Sequence, residues 1–83
     1  MDLGVNVGLK VQGLREASGL SQRDLAEQIL VDPSTLSRLE SGHSRWTIEV
    51  FVVCCQVLDV QPGEVLAECV ADSSLKKTSL WGE

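Results

Sequence analysis

SQRDLAEQILVDPSTLSRLE, residues 21–40, decides the reading of this chain. Leu25, Ala26 and Ile29 fall at helical spacing, and so do Leu36 and Leu39 a few residues on. Ser21 offers an N-cap with Asp24 three residues later, a variant of the capping box. Asp32 offers a second cap, and Pro33 fits the first helical position, where its missing N–H costs nothing. Two short amphipathic helices result, joined at Leu30-Val31, with Val31 expected as a core plug. The second helix carries Ser34, Thr35, Ser37 and Arg38 as small polar or basic tips. A helix of that kind, held at a fixed angle by its partner, can enter the DNA major groove. Sequence-specific DNA binding is therefore the first expectation.

Working outward, Val7, Val11 and Leu14 suggest a first helix over about residues 6–18, closed by Gly19. Gly8 and Gly13 are expected to weaken it, by about 1 kcal/mol each if exposed. Gly42 ends the third helix, and residues 43–46 read as a loop. Thr47 is a cap for a fourth helix over residues 48–58. That segment, IEVFVVCCQVL, is rich in β-branched residues and has strand propensity. The spacing of Ile48, Phe51/Val52, Cys55 and Leu58 favours a buried helix. Pro62 restarts the chain as a fifth helix with Val65, Leu66 and Cys69 inward. The expectation is an all-α, compact five-helix domain over residues 7–70, with the paired helices at 21–40. Residues 71–83 read as a tail associated with a dimer.

Eighty-three residues allow one small domain, and 43% hydrophobic content excludes a disordered chain. The net charge is −5, from 12 acids against 7 bases. That balance argues against a general nucleic-acid binder, which draws on basic charge. Distribution matters more: Arg23, Arg38 and Arg45 lie in or beside the bihelical segment, while Glu64, Glu68, Asp72 and Glu83 lie far from it. No secretory signal is visible, and the apolar run at 48–60 is shorter than the ~20 residues a membrane span needs. Three cysteines without a CxxC make neither a disulfide framework nor a zinc site. A reducing cytoplasm is the expected location.

The order of these motifs resembles the Cro/lambda-repressor-like (XRE-type) helix-turn-helix regulators. The carriers are Leu14-Arg15, Gly19-Leu20-Ser21-Gln22, Leu25-Ala26, Ser34-Thr35-Leu36-Ser37-Arg38-Leu39-Glu40, Gly42, and Leu58 with Val60. The resemblance covers roughly residues 7–66. It implies a bacterial or phage transcriptional regulator, a repressor in the first instance, that binds a palindromic operator in double-stranded DNA as a homodimer. It implies that Gln22, opening helix two, contacts a backbone phosphate. Pro33, Ser34, Ser37 and Arg38 would be the outward positions of the reading helix. Arg38 is the best candidate for base readout, because a guanidinium can grip guanine O6 and N7 together. Pro33 could offer only apolar contact. Thr35, Ser44 and Arg45, with Arg23 adding charge, would contact phosphates and fix the register. Arg15 and Glu40 stand where the family often has a structural ion pair. Three positions depart from the pattern: Leu30 where glycine is common, implying strain or a reshaped turn; Trp46 where proline is frequent; and Gly13 at an exposed place on helix one.

Other residues read as structure. His43 is a loop residue, Trp46 a lid on the small core, and Lys76-Lys77 solvated. Cys54 and Cys55 read as core packing with one of the two partly exposed, and no basic neighbour to activate a thiol. No cofactor or metal is expected. No nucleophile–base pair, carboxylate dyad or phosphate-cradling loop is present, so the chain does not read as an enzyme. The competing reading is a protein-interaction module, such as an antitoxin or accessory regulator, motivated by the acidic balance and by apolar residues Val65, Leu66, Val70, Leu75, Leu80 and Trp81 beyond what so small a core can bury.

Overall fold

Residues 3–72 are described in the computed structural model of the chain, as five α-helices with no strand among them. They are α1 (Leu3–Ala17), α2 (Gln22–Ile29), α3 (Pro33–Ser41), α4 (Ile48–Val57) and α5 (Pro62–Asp72). α1 lies against α3 and α5, α2 against α3 and α4, and α4 against α5. The core they enclose takes Val7 and Val11 from α1, Leu25, Ala26 and Ile29 from α2, and Leu36 from α3. α4 adds Phe51, Cys54 and Cys55, Leu58 follows, and α5 adds Val65 and Cys69. Burying a side chain such as Leu25 or Leu36 is worth about 1.5–3 kcal/mol, enough to fix the attitude of these short helices.

Three of the turns between helices share one device, and a fourth ends α3. In each, one residue takes a left-handed backbone: Gly19 (φ 74°), Leu30 (φ 62°), Gly42 (φ 84°) and Asp59 (φ 57°). The next residue then donates its N–H back to the carbonyl five residues earlier. These bonds are Leu20 to Arg15 (3.1 Å), Val31 to Ala26 (3.0 Å), His43 to Arg38 (2.8 Å) and Val60 to Cys55 (3.0 Å). This is the Schellman closure of a helix C-terminus. It delivers Leu20, Val31 and Val60 onto the core, where they pack. Leu30 is the residue that resists this geometry, since a Cβ in the left-handed region costs about 1–2 kcal/mol. The strain at that position falls on an 89% exposed side chain with no packing to offset it.

The caps follow sequence chemistry with one exception. The Ser21 hydroxyl accepts from the Asp24 N–H (3.0 Å), and the Asp24 carboxylate accepts from the Ser21 N–H (3.1 Å). Hydrogen bonding to the carboxylate from Ser21, its backbone N–H first and then its hydroxyl, holds the Asp24 carboxyl below its ordinary value. Thr47 Oγ1 accepts from the Val50 N–H at 3.2 Å and starts α4. Asp32, expected as a side-chain cap, occupies the N-cap position but makes no such bond. Pro33 alone sets the start of α3, through its fixed φ.

Several expectations on packing are corrected. α1 begins at Leu3, so Asn6 lies within the helix, where its Nδ2 donates to the Cys69 carbonyl (3.3 Å). Gly8 is no defect. It is buried, and a Cβ there would sit 2.6 Å from the carbonyl oxygens of Leu39 and Glu40. Ile48, expected inward, is 77% exposed, because α4 turns its Phe51, Cys54 and Cys55 stripe to the core instead. Leu66 is 40% exposed, and only Val65 and Cys69 of the three expected α5 residues point inward. Both Cys54 and Cys55 are buried, so neither is the half-exposed member of a pair. α5 runs from Pro62 through Asp72. Leu75, Lys76, Lys77, Leu80 and Trp81 lie outside the described residues.

Trp46 packs edge-on against Phe51, with centroids 6.3 Å apart and planes at 86°. Its Nε1 is buried without a hydrogen-bond partner. Burial pushes the Cys54 thiol up to about 12 and raises that of Cys55, which keeps both as neutral core-filling groups at neutral pH. Among the described residues no single helix is long and apolar enough to cross a membrane.

Candidate nucleic-acid interface

α3 is a nine-residue helix whose two sides differ in kind. Leu36 and Leu39 are buried and seat it on the core. Pro33, Ser34, Ser37 and Arg38 are exposed, and Thr35 is half-buried at the edge. Residues 34, 37 and 38 are related by the i, i+3, i+4 spacing of one helix face, so their side chains rise together. No other described part of the chain covers them. A short helix with small polar tips and one long cation on its outward face fits a groove about 12 Å wide and offers donors to base edges.

Arginines flank and lie on α3 along the chain, at positions 23, 38 and 45. Arg38 and Arg45 are exposed, and among the described residues neither has a carboxylate partner. Arg23 lies 3.8 Å from Glu27, with both side chains largely in water, so that pair is readily given up. Ser44 is half-buried in the loop after α3, where its N–H donates to the Arg38 carbonyl at 3.3 Å. Ser41 Oγ lies 2.8 Å from His43 Nδ1 in the same loop. A chain of net charge −5 thus carries one arginine on α3 and one in the loop after it that have no carboxylate partner among the described residues.

Behind that face lies a buried polar cluster. Arg15 Nε donates to Glu40 Oε2 (2.8 Å), and Arg15 Nη2 donates to Glu40 Oε1 (3.1 Å). Arg15 Nη1 donates to the Leu20 carbonyl at 2.8 Å. The two side chains are only 8% and 2% exposed. The Glu40 hydrogen bond raises the Arg15 pKa, and burial opposes it. A fourth bond lies beyond the expected ion pair: Gln22 Nε2 donates to Glu40 Oε1 at 3.0 Å. The half-buried Gln22 therefore carries a protein contact as well as any contact it makes outward. The sequence holds a signal for it, an amide at the first position of α2 and an acid at the last turn of α3, but only the fold brings them together.

Elsewhere a groove of about 540 Å³ runs between the start of α1, the α3–α4 loop and α5. Leu3, Val7, Trp46, Ile48, Phe51 and Leu66 line it, together with Arg45. Among the described residues no cluster of metal-ligating side chains occurs.

A family model described as helix-turn-helix matches residues 11–65. No curated protein matches the chain. Among solved structures, the clp gene regulator ClgR from Corynebacterium glutamicum superposes with a TM-score of 0.81 at 29% identity, covering 92% of this chain and 99% of that one. The restriction-modification controller protein C.AhdI from Aeromonas hydrophila superposes at 0.70 with 31% identity, covering 74% of this chain and 92% of the other. A point mutant of the restriction-modification controller protein C.Esp1396I shares the fold, with a TM-score of 0.75 and 20% identity, covering 100% of both chains.

Proposed function

The chain belongs to the helix-turn-helix family of DNA-binding transcriptional regulators, which are not enzymes, and from that premise we propose that it is a repressor acting as a homodimer on a palindromic operator. The observation that carries this reading is the outward row Ser34, Ser37 and Arg38 over buried Leu36 and Leu39. In this reading α3 lies in the major groove. Arg38 grips a guanine, Ser34 and Ser37 meet neighbouring base edges, and Pro33 packs on a thymine methyl. Gln22, Arg23, Thr35, Ser44 and Arg45 hold phosphates and set the register. Arg15 and Glu40 are scaffold.

Charge argues for two copies. One acidic protomer with three arginines in or beside its bihelical segment makes few phosphate contacts, so its affinity alone is poor. Two reading helices about 34 Å apart meet successive major-groove faces and add their binding energies. The exposed Leu66 on α5 supports a dimer surface there. The related proteins are named as a gene regulator and a restriction-modification controller, in keeping with a promoter-specific role in the cytoplasm of a bacterium or phage-infected cell. The exposed Ile48 and Leu66 beside the groove also support contact with a second protein.

Selection from random oligonucleotides, with a solution mass on the same preparation, tests this. A two-fold symmetric consensus and a dimer mass are expected. A monomer at all concentrations, with no enriched sequence, contradicts it.

A further inference from the structure

Glu40 is buried in the last turn of α3, yet one of its oxygens reaches Gln22, a residue proposed above to hold a phosphate. Its Oε2 takes Arg15 Nε, and its Oε1 takes both Arg15 Nη2 (3.1 Å) and Gln22 Nε2 (3.0 Å). Arg15 in turn grips the Leu20 carbonyl, two residues before Gln22. The cluster thus ties α1, the turn before α2, the first residue of α2 and the last turn of α3 into one body.

The consequence concerns Gln22. A glutamine at a helix start has three side-chain torsions and an amide that can point either way. Glu40 removes that freedom. A carboxylate only accepts, so the nitrogen of the Gln22 amide must face it. One Nε2 hydrogen is spent on Glu40, and the second remains for an outside acceptor. The geometry points to Glu40 as a positioning residue for DNA binding: through Gln22 Nε2 it presents a pre-oriented donor to a backbone phosphate, beside the opening N–H groups of α2. This rests on the proposed DNA-binding role of the reading side. It adds that the buried ion pair acts on affinity, and not on stability alone.

Orientation before binding matters because freezing a long side chain at an interface lowers affinity. A donor already held loses less. A carboxylate is the right partner on this ground, since a neutral acceptor would hold the amide more weakly.

A double-mutant cycle on the full chain tests it, using the duplex that wild-type protein selects from random oligonucleotides. Binding is measured well below each variant's melting temperature. Gln22→Ala is expected to weaken binding about tenfold, the scale of a lost hydrogen bond to a charged group. Glu40→Gln is expected to weaken it about threefold or more in the wild-type background, and by less than about 1.5-fold when Gln22 is already alanine. A purely structural Glu40 weakens binding by the same factor in both backgrounds, and that additivity overturns the proposal. The Gln22 side-chain amide signals of the free protein give a second reading. In wild type one proton should exchange slowly with solvent, and in Glu40→Gln it should exchange faster, because a neutral acceptor holds it more weakly; equal fast exchange in both proteins also overturns it. If Gln22→Ala binds as wild type while Arg38→Ala loses sequence preference, the DNA-binding reading stands and the role of Glu40 fails. If no duplex is selected at all, both fail together.

Discussion

A Cβ on Gly8 would lie 2.6 Å from the carbonyl oxygen of Glu40, so α1 crosses the last turn of α3 where only glycine fits. The neighbouring atoms are backbone, which cannot swing aside. Gly8→Ala should therefore lower stability by about 1–3 kcal/mol, the usual cost of overpacking. Gly13, five residues on in the same helix, meets nothing within 4 Å. Gly13→Ala should raise stability by about 0.5–1 kcal/mol. Urea midpoints of the two variants should move in opposite directions.

Leu30 marks a place where the fold accepts strain. Its φ of 62° suits glycine, and its side chain is 89% exposed. Leu30→Gly should stabilise by about 0.5–1 kcal/mol, the relieved strain less the entropy a glycine adds to the unfolded chain. At Gly42 the same logic reverses, since a Cβ there would also meet Val5 Cγ2 at 2.8 Å. Gly42→Ala should destabilise, and thermal unfolding of both variants checks the pair.

The capping box of α2 sets a pH dependence. Asp24 has a depressed folded-state pKa, held down by its Ser21 bonds. Such a group contributes stability above its unfolded pKa, about 3.9, and the contribution is lost as pH falls through the folded value. Wild type should exceed Asp24→Ala in urea midpoint at pH 7. The gap should hold down to about pH 5 and narrow steadily in stronger acid. A gap that widens on acidification contradicts the assignment.

The thiols give a kinetic check. With Cys54 pushed up to about 12 and all three cysteines buried, native protein should react with a disulfide reagent at about pH 7.5 only through opening of the fold. Added urea should accelerate the reaction steeply, well before the unfolding midpoint. A fast native reaction at one thiol would reveal an exposed, activated cysteine.

Local chemistry is what can be read from the chain without its fold. Ser21 and Asp24 form their box, Thr47 caps α4, and Pro33 starts α3, because each acts within a few residues of itself. α4 is a helix despite its strand propensity, since Phe51, Cys54, Cys55 and Leu58 all find one core. What escapes such reading is set by tertiary geometry. Gly8 looks like a weak point in the sequence, yet α3 lies across it. Ile48 and Leu66 are apolar and periodic, yet a small core has no room for them. At the candidate interface the outward row on α3 follows from spacing alone, whereas the bond from Gln22 to Glu40 joins residues 18 positions apart that only the fold brings together.

The most direct test compares wild type with Arg38→Ala on two duplexes, the selected operator and a scrambled one of equal length. Arg38 is exposed and unpaired among the described residues, so the variant should melt as wild type does. Wild type should favour the operator, and Arg38→Ala should lose that preference by about 10-fold or more per half-site, the worth of one bidentate guanine contact. Binding to the scrambled duplex should fall only modestly, by the loss of one charge. A variant that folds normally and keeps the full operator preference would contradict α3 as the reading helix.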